Sequence, residues 1–335
     1  MRIVPAPPRR VSKAPANPVL TRLLRVFGVL LILTSVALAL SRAPNVDVQS
    51  LVARWAPPPS DFVEVRGMVV HVRDVGPRDD PLPLVLLHGT GASLHTWEGW
   101  VASLKDQRRV VTLDLPGFGL TGPFAGSYPE RDYSGDAYAR FVIDVMDALK
   151  LPRVVLAGNS LGGEVAWRTA WLKPERVASL VLVDSLGPAF TPDSVPVGFV
   201  VARIPVLRWL MEEVLPRSVV VQGLHSVYGD PARVTDELVD RYFSLALRDG
   251  NRRALGLLLS QLELGRDAER IATLKLPTLI LWGGRDRLIP PAVGEEFQRL
   301  IAGSQRVVFP ELGHVPHEED PAQTVLPVKA FLRLQ

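Results

Sequence analysis

Ser160 lies in the stretch Gly158-Asn159-Ser160-Leu161-Gly162, where the apolar run Val154–Ala157 gives way to a helix-patterned segment. A structural turn would use glycine there without needing a hydroxyl. The pattern G-x-S-x-G between a strand and a helix marks a strained turn that lifts a serine Oγ out of a sheet. Small residues at 158 and 162 let strand and helix close up. The helix N-terminus beneath the oxygen favours developing negative charge. A serine hydroxyl needs a base to become a nucleophile, and the chain offers His71, His88, His95, His225, His314 and His317. His314 in "PELGHVPHEEDP" follows the last apolar run, and Gly313 frees the backbone to project its ring. His317 is the close rival, with a structural loop contact as its other reading. The imidazole needs an orienting carboxylate. Asp286 in "LILWGGRDRLIP" stands past the preceding apolar run in a glycine-containing loop, and Asp184 at the end of "LVLVDS" is the alternative. An oxyanion needs fixed donors, expected from the backbone N–H groups of Leu161 and of Thr90 in "VLLHGTGAS". His88 in that segment reads as a loop-fixing residue. The GTG lacks the Lys-Ser/Thr ending of a phosphate loop and the full spacing of a dinucleotide fingerprint, so that reading is set aside.

These residues need elements that bring them to one edge. From Asp61 the chain alternates in "FVEVRGMVVHVRDVG", with Gly67 at a turn position, which predicts a hairpin. "LPLVLLHG", "RRVVTLDLPG", "PRVVLAGNS", "VASLVLVDS", "LPTLILWGG" and "SQRVVFPELGH" are continuous apolar runs, as strands buried on both faces would be. Helical stretches fall between them at 97–104, 134–149, 161–172 and 292–302. This rhythm predicts a mostly parallel sheet with helices on both faces, whose chemistry collects beyond the carboxyl ends of the strands. Residues 187–265 break the rhythm with several amphipathic helices. They read as an inserted lid, a second domain being the other reading. The core is thus expected at 61–186 and 266–335.

Composition bounds the rest. The 335 residues are 47% hydrophobic and 22% charged, with no cysteine, which removes disulfides, thiolate metal sites and a cysteine nucleophile. The six histidines show no metal-ligand spacing, and neither metal nor organic cofactor is expected. The net charge of +3 misleads, because residues 1–46 hold seven basic and no acidic residues. The body is mildly acidic and unlike a nucleic-acid binder. Residues 1–19 read as a disordered basic tail. Residues 20–42 read as a transmembrane anchor, since the apolar run reaches spanning length if Arg22 and Arg25 snorkel. A cleaved signal peptide ending near "ALA" at 37–39 is the alternative, and a core helix is disfavoured because no polar face is visible. The basic flank puts the body on the non-cytoplasmic side, or in the periplasm or medium after cleavage. Residues 43–60 read as a stiff linker.

In their order, "LLHGTGAS", "LDLPGFGLTG", "GNSLGG", "LVDS", "WGGRDRLIP" and "ELGHVPHEEDP" resemble the α/β-hydrolase superfamily. The resemblance is to its lid-bearing branch of esterases, C–C bond hydrolases, haloalkane dehalogenases and epoxide hydrolases, and it covers about residues 61–335. It implies Ser160, Asp286 and His314 as a triad and Thr90 with Leu161 as the oxyanion hole. Serine at 160, where dehalogenases and epoxide hydrolases of this branch carry aspartate, disfavours those chemistries. "HGTGASLHTW" lacks the Gly-Pro-Gly run common in ring-cleavage-product hydrolases, although "GNSLGG" with Trp167 is similar to theirs. The expected activity is hydrolysis of a small-molecule carboxylic ester through an acyl-enzyme. The alternatives are C–C cleavage of a β-diketone-like acid and a membrane-tethered binding protein without catalysis. Trp97, Trp100, Phe199 and Trp209 are candidate pocket aromatics.

Overall fold

The computed structural model describes residues 17–204 and 208–334, side chains at 40, 202–203 and 208–210 excepted. The chain divides after Arg42 into two units. The first holds helix α1 (Pro18–Leu40), whose free N–H at Val19 is capped by the Asn17 side chain at 3.0 Å. Residues Pro18–Ala39 have a mean hydropathy of 2.0 and none is buried, so α1 is long and apolar enough to cross a membrane or to serve as a signal sequence.

The second unit is built on an eight-stranded sheet in the order β1-β2-β4-β3-β5-β6-β7-β8. The hairpin of β1 (Ser60–Val65) and β2 (Met68–Val75) turns at Arg66-Gly67, both at positive φ. Strand β2 joins β4 (Val110–Leu113) antiparallel. All further pairings are parallel, through β3 (Leu84–Leu87), β5 (Val154–Asn159), β6 (Val177–Val183), β7 (Thr278–Gly283) and β8 (Gln305–Phe309). Alternating side chains of one strand feed two cores. Leu156, Leu182 and Ile280 enter one with helices α4 (Gly135–Ala148), α5 (Leu161–Leu172) and α12 (Pro291–Leu300). Ala157, Val181 and Leu281 enter the other with α3 (Glu98–Leu104) and α14 (Pro321–Phe331). Both faces are covered, which is why these strands read as unbroken apolar runs.

Between β6 and β7 the chain forms α6 (Val197–Arg203), α7 (Arg208–Glu213), α8 (Arg217–Val227), α9 (Asp236–Ala246) and α10 (Asn251–Gln261), followed by the short α11 (Ala268–Ile271). A small cluster of Leu224, Tyr228 and Val239 closes only with Val315 from the loop after β8, which precedes α13 (Pro316–Glu319). The insertion therefore shares its core with the sheet's loops.

Residues 43–60, expected as a stiff linker, instead hold an ordered helix, α2 (Val48–Trp55). Asp47 caps it by accepting the Gln49 N–H at 2.9 Å, and Leu51 and Trp55 bury beside Leu120 and Leu245. The preceding residues bond to the insertion, from Ala43 N to Glu213 O at 2.9 Å and from Val46 N to Leu247 O at 2.7 Å. Proline suggested stiffness, but the buried leucine and tryptophan one turn apart decide the outcome.

Candidate active site

Ser160 is the residue between β5 and α5, with φ 54° and ψ −117°. A non-glycine residue at such φ carries strain of roughly 1–3 kcal/mol, held only by its surroundings. Here those surroundings are tight. A Cβ at Gly158 would overlap the Gly162 carbonyl, and one at Gly162 would overlap the Leu87 carbonyl. The Ser160 N–H donates to Val183 O at 3.0 Å, and its carbonyl accepts from Leu186 and Glu164, both at 3.1 Å. The hydroxyl-bearing side chain is thus aimed by backbone bonds to β6 and to α5.

Asp286 and His314 come from the loops after β7 and β8. His314 Nδ1 donates to Asp286 Oδ2 at 2.7 Å, both residues being buried. The other carboxylate oxygen accepts from Leu288 N at 2.8 Å and Ile289 N at 2.9 Å. These bonds leave Nε2 of His314 as the ring's acceptor. The Asn159 side-chain amide donates to His314 O at 2.9 Å and so ties the histidine loop to the residue before the serine. Among the described residues, no hydrogen bond joins Ser160 Oγ to the His314 ring. In unliganded sites that bond is often long and tightens around substrate.

Leu161 and Thr90 present backbone N–H groups with no acceptor among the described residues. The Thr90 loop approaches closely, since a Cβ at Gly89 would lie 3.1 Å from Ser160 Cβ. His88 fixes this loop as expected. Its Nδ1 donates to Gly89 O at 2.8 Å and its Nε2 accepts from Leu115 N at 2.9 Å. Burial pushes its pKa below the ordinary histidine value.

Asp184 does not hold His314. Its Oδ1 accepts from Gly283 N at 2.9 Å, and its Oδ2 has no geometric hydrogen bond among the described residues. Burial, then the nearby Asp286 carboxylate, raise its pKa well above the usual range, which favours its neutral form. Donor atoms of Asp184, Asp286 and His314 lie within 4.8 Å of one another. A cation there would compete with His314 Nδ1 for the oxygen that already orients the ring. His317 is buried and stacked on Trp97 at 3.9 Å between ring centroids, with neither nitrogen bonded. Desolvation lowers its pKa well below the ordinary value, which makes it a core residue.

Two further groups were not visible in the sequence. Asp114 accepts from His71 Nδ1 at 2.7 Å, Leu94 N at 2.7 Å and Leu120 N at 2.8 Å, and so braces the loops after β3 and β4. Glu319 accepts from Gly313 N at 2.8 Å, Gly229 N at 3.0 Å and Asp230 N at 2.9 Å. With His314 N donating to Val227 O at 2.7 Å, this clamps the histidine loop to the end of α8.

An apolar cavity of about 380 Å³ reaches Thr90 and Gly91 from the insertion, lined by Val197, Phe199, Met211, Leu215, Val219 and Leu224 among others. A larger one, about 740 Å³, lies around Val52, Phe62, Met68 and Leu257 and includes none of the site residues. Of the aromatics expected in the pocket, Phe199 is there. Trp97 and Trp100 are instead completely buried in the core beneath, where large rings fill volume between α3, α13 and α14. The Trp209 side chain lies outside the described residues.

A family model described as the alpha/beta hydrolase fold matches residues 83–321. The dihydrolipoyllysine-residue acetyltransferase component of an acetoin cleaving system from Pseudomonas putida is 31% identical over 82% of this chain and 70% of its own length. The 2-hydroxy-6-oxo-2,4-heptadienoate hydrolase of Pseudomonas putida is 30% identical over 74% of this chain and 87% of its own. The crystal structure of a membrane phospholipase A, a bacterial virulence factor, is 26% identical with a TM-score of 0.67, the match covering 94% of this chain and 96% of that one.

Proposed function

This chain belongs to the α/β-hydrolase family, and from that premise we propose that it is a serine hydrolase cleaving carboxylic esters with an apolar acyl group. One observation carries the reading: the buried 2.7 Å His314–Asp286 pair stands at the same strand edge as Ser160 on its strained turn. Ser160 Oγ attacks the acyl carbon while His314 Nε2 takes its proton. Asp286 holds the ring and stabilises the imidazolium. The oxyanion is met by the N–H groups of Leu161 and Thr90. The C–O bond then breaks, His314 returns the proton to the departing alcohol, and water delivered by the same base releases the acid. The cavity beside Thr90 supports an apolar acyl group, with the insertion acting as a lid. The candidate span in α1 supports a membrane anchor, and the basic residues ahead of it support a catalytic unit on the non-cytoplasmic side.

The test is a panel of aryl esters of rising acyl length. Turnover that increases from two-carbon to mid-length acyl groups is expected, and no turnover of any member contradicts the reading. A second reading, C–C hydrolysis of a dienoic keto acid, draws on Arg252. This buried cation lines the apolar cavity, and its Nε and Nη1 have no hydrogen-bond partner among the described residues. It also draws on the activity in the heptadienoate hydrolase's name. That reading predicts consumption of a coloured dienoate by a chain inert to esters, with KM raised at least tenfold in Arg252→Ala.

A further inference from the structure

We propose that the edge of the insertion around α6 rests on a lipid bilayer, and that the cavity beneath it takes an acyl chain of a membrane lipid directly from that bilayer. Nine large apolar side chains beyond α1 are exposed among the described residues, and four of them, Val195, Val197, Val200 and Ile204, fall within one ten-residue stretch. Each is 40–48% exposed. Val197 and Val200, three residues apart, share one side of α6, and Ile204 follows directly at its C-cap. Phe199 and Val201 of the same helix line the cavity that reaches Thr90. Helix α6 thus roofs the cavity with Val197, Phe199 and Val201 and leaves Val200, with the outer part of Val197, toward solvent. Single exposed apolar residues are ordinary, but a contiguous patch marks a partner or a membrane.

The chain's own connectivity says which. Ala43 follows the end of α1 by three residues. At no more than ~3.6 Å per residue, Ala43 is within about 11 Å of that end. Ala43 is bonded to Glu213 O, the last residue of α7, and α7 packs on α6. The chain leaving a membrane-length helix thus enters the body on the insertion, at the end of the helix that packs on α6. A bilayer is the partner that such a tether brings to this patch. A helix with one buried and one lipid-facing apolar side suits the headgroup–acyl boundary. The substrate part of this inference, a lipid carrying an esterified acyl chain, rests on the ester-hydrolase reading. The docking part stands alone.

The sequence has no cysteine, so single-site labelling is clean. The full chain carrying Val200→Cys, or Leu326→Cys on α14 as a control, is labelled with a nitrobenzoxadiazole dye and placed in phosphatidylcholine vesicles. Nitroxide-bearing lipid should quench the dye at 200 at least threefold more than at 326. Equal quenching overturns the docking. Shielding at 200 that follows protein concentration rather than lipid marks a second copy and also overturns it. In a second arm, Val200→Asp combined with Ile204→Asp should cut hydrolysis of vesicle phosphatidylcholine at least tenfold and leave a dissolved short aryl ester within twofold. Equal loss on both substrates, or loss on neither, overturns the entry route. If the unaltered chain hydrolyses no ester, the function reading fails while the quenching still decides the docking.

Discussion

At the strand ends Ser160, Asp286 and His314 are buried and their loops are held by directional hydrogen bonds, whereas the insertion between β6 and β7 meets the same site through an apolar cavity and turns valines to solvent. Ser160 is aimed by three backbone atoms of its neighbours, and Asp286 by two N–H groups and one imidazole. The cavity wall holds almost no polar partner for a substrate. The difference separates two tasks. Chemistry needs atoms placed to within tenths of an ångström, which directional hydrogen bonds and close-packed glycines provide. Substrate choice needs volume and apolar area, which helices supply with little geometric precision. The two regions meet at Glu319, whose carboxylate binds N–H groups from both.

If the strand ends hold all the chemistry, Ser160→Ala should lower kcat on an aryl ester by about five to six orders of magnitude while leaving the thermal midpoint close to that of the parent. Asp286→Asn should cost roughly three to four orders of magnitude through the wrong imidazole tautomer. Asp184, kept neutral first by burial, should not substitute for it, so adding Asp184→Asn should change kcat by less than twofold. A clear further fall would show that the second acid takes part. The seam is sharpened by Glu319→Gln, which leaves buried N–H groups short of acceptors at about 1–3 kcal/mol each. Kinetics on a dissolved ester should show a ten- to hundredfold loss of kcat, and thermal melting a fall of several degrees.

The insertion should answer differently. Gly223 in α8 lines the cavity and has open space around it. Gly223→Leu should therefore lower kcat/KM on long-chain esters about tenfold and spare short ones. The melting point should hold or rise, because a helical glycine costs about 1 kcal/mol. The smallest expected effect is a pH slope in stability from the buried histidines. Burial holds His95 down at about 4, and His88 and His317 below the ordinary value. Between that ordinary value and pH 4 the unfolded chain binds more protons than the native one, so stability should fall as pH drops through this window. Melting points measured from pH 7 to pH 4 would check it. Asp184 acts in the opposite sense. Its pKa is higher in the folded protein than in the unfolded chain, so it subtracts stability as pH rises above the usual carboxylate range. Asp184→Asn should accordingly raise the melting point at neutral pH.

Much of the strand-end region was readable in the sequence, and the reason is physical. Strands covered on both faces leave unbroken apolar runs, and three of the runs here end at the loops that carry Ser160, Asp286 and His314. The helix 161–172 follows its turn residue for residue. What escaped reading depends on contacts distant along the chain. Glu319 and Asp114 act by accepting backbone N–H groups far away in sequence, which leaves no periodicity to detect. Trp97 and Trp100 differ from pocket aromatics only in what packs on them. Helix α2 did leave a signal, since Asp47 caps a segment with Val48, Leu51, Val52 and Trp55 at helical spacing. The neighbouring prolines drew the reading toward a linker.

The claim that one serine is made reactive by one buried histidine is tested most directly by fluorophosphonate labelling followed by peptide mass mapping. A single adduct on Ser160 is expected, forming at least a thousandfold more slowly in His314→Ala. An adduct on another serine, or an unchanged labelling rate in that variant, would contradict the account.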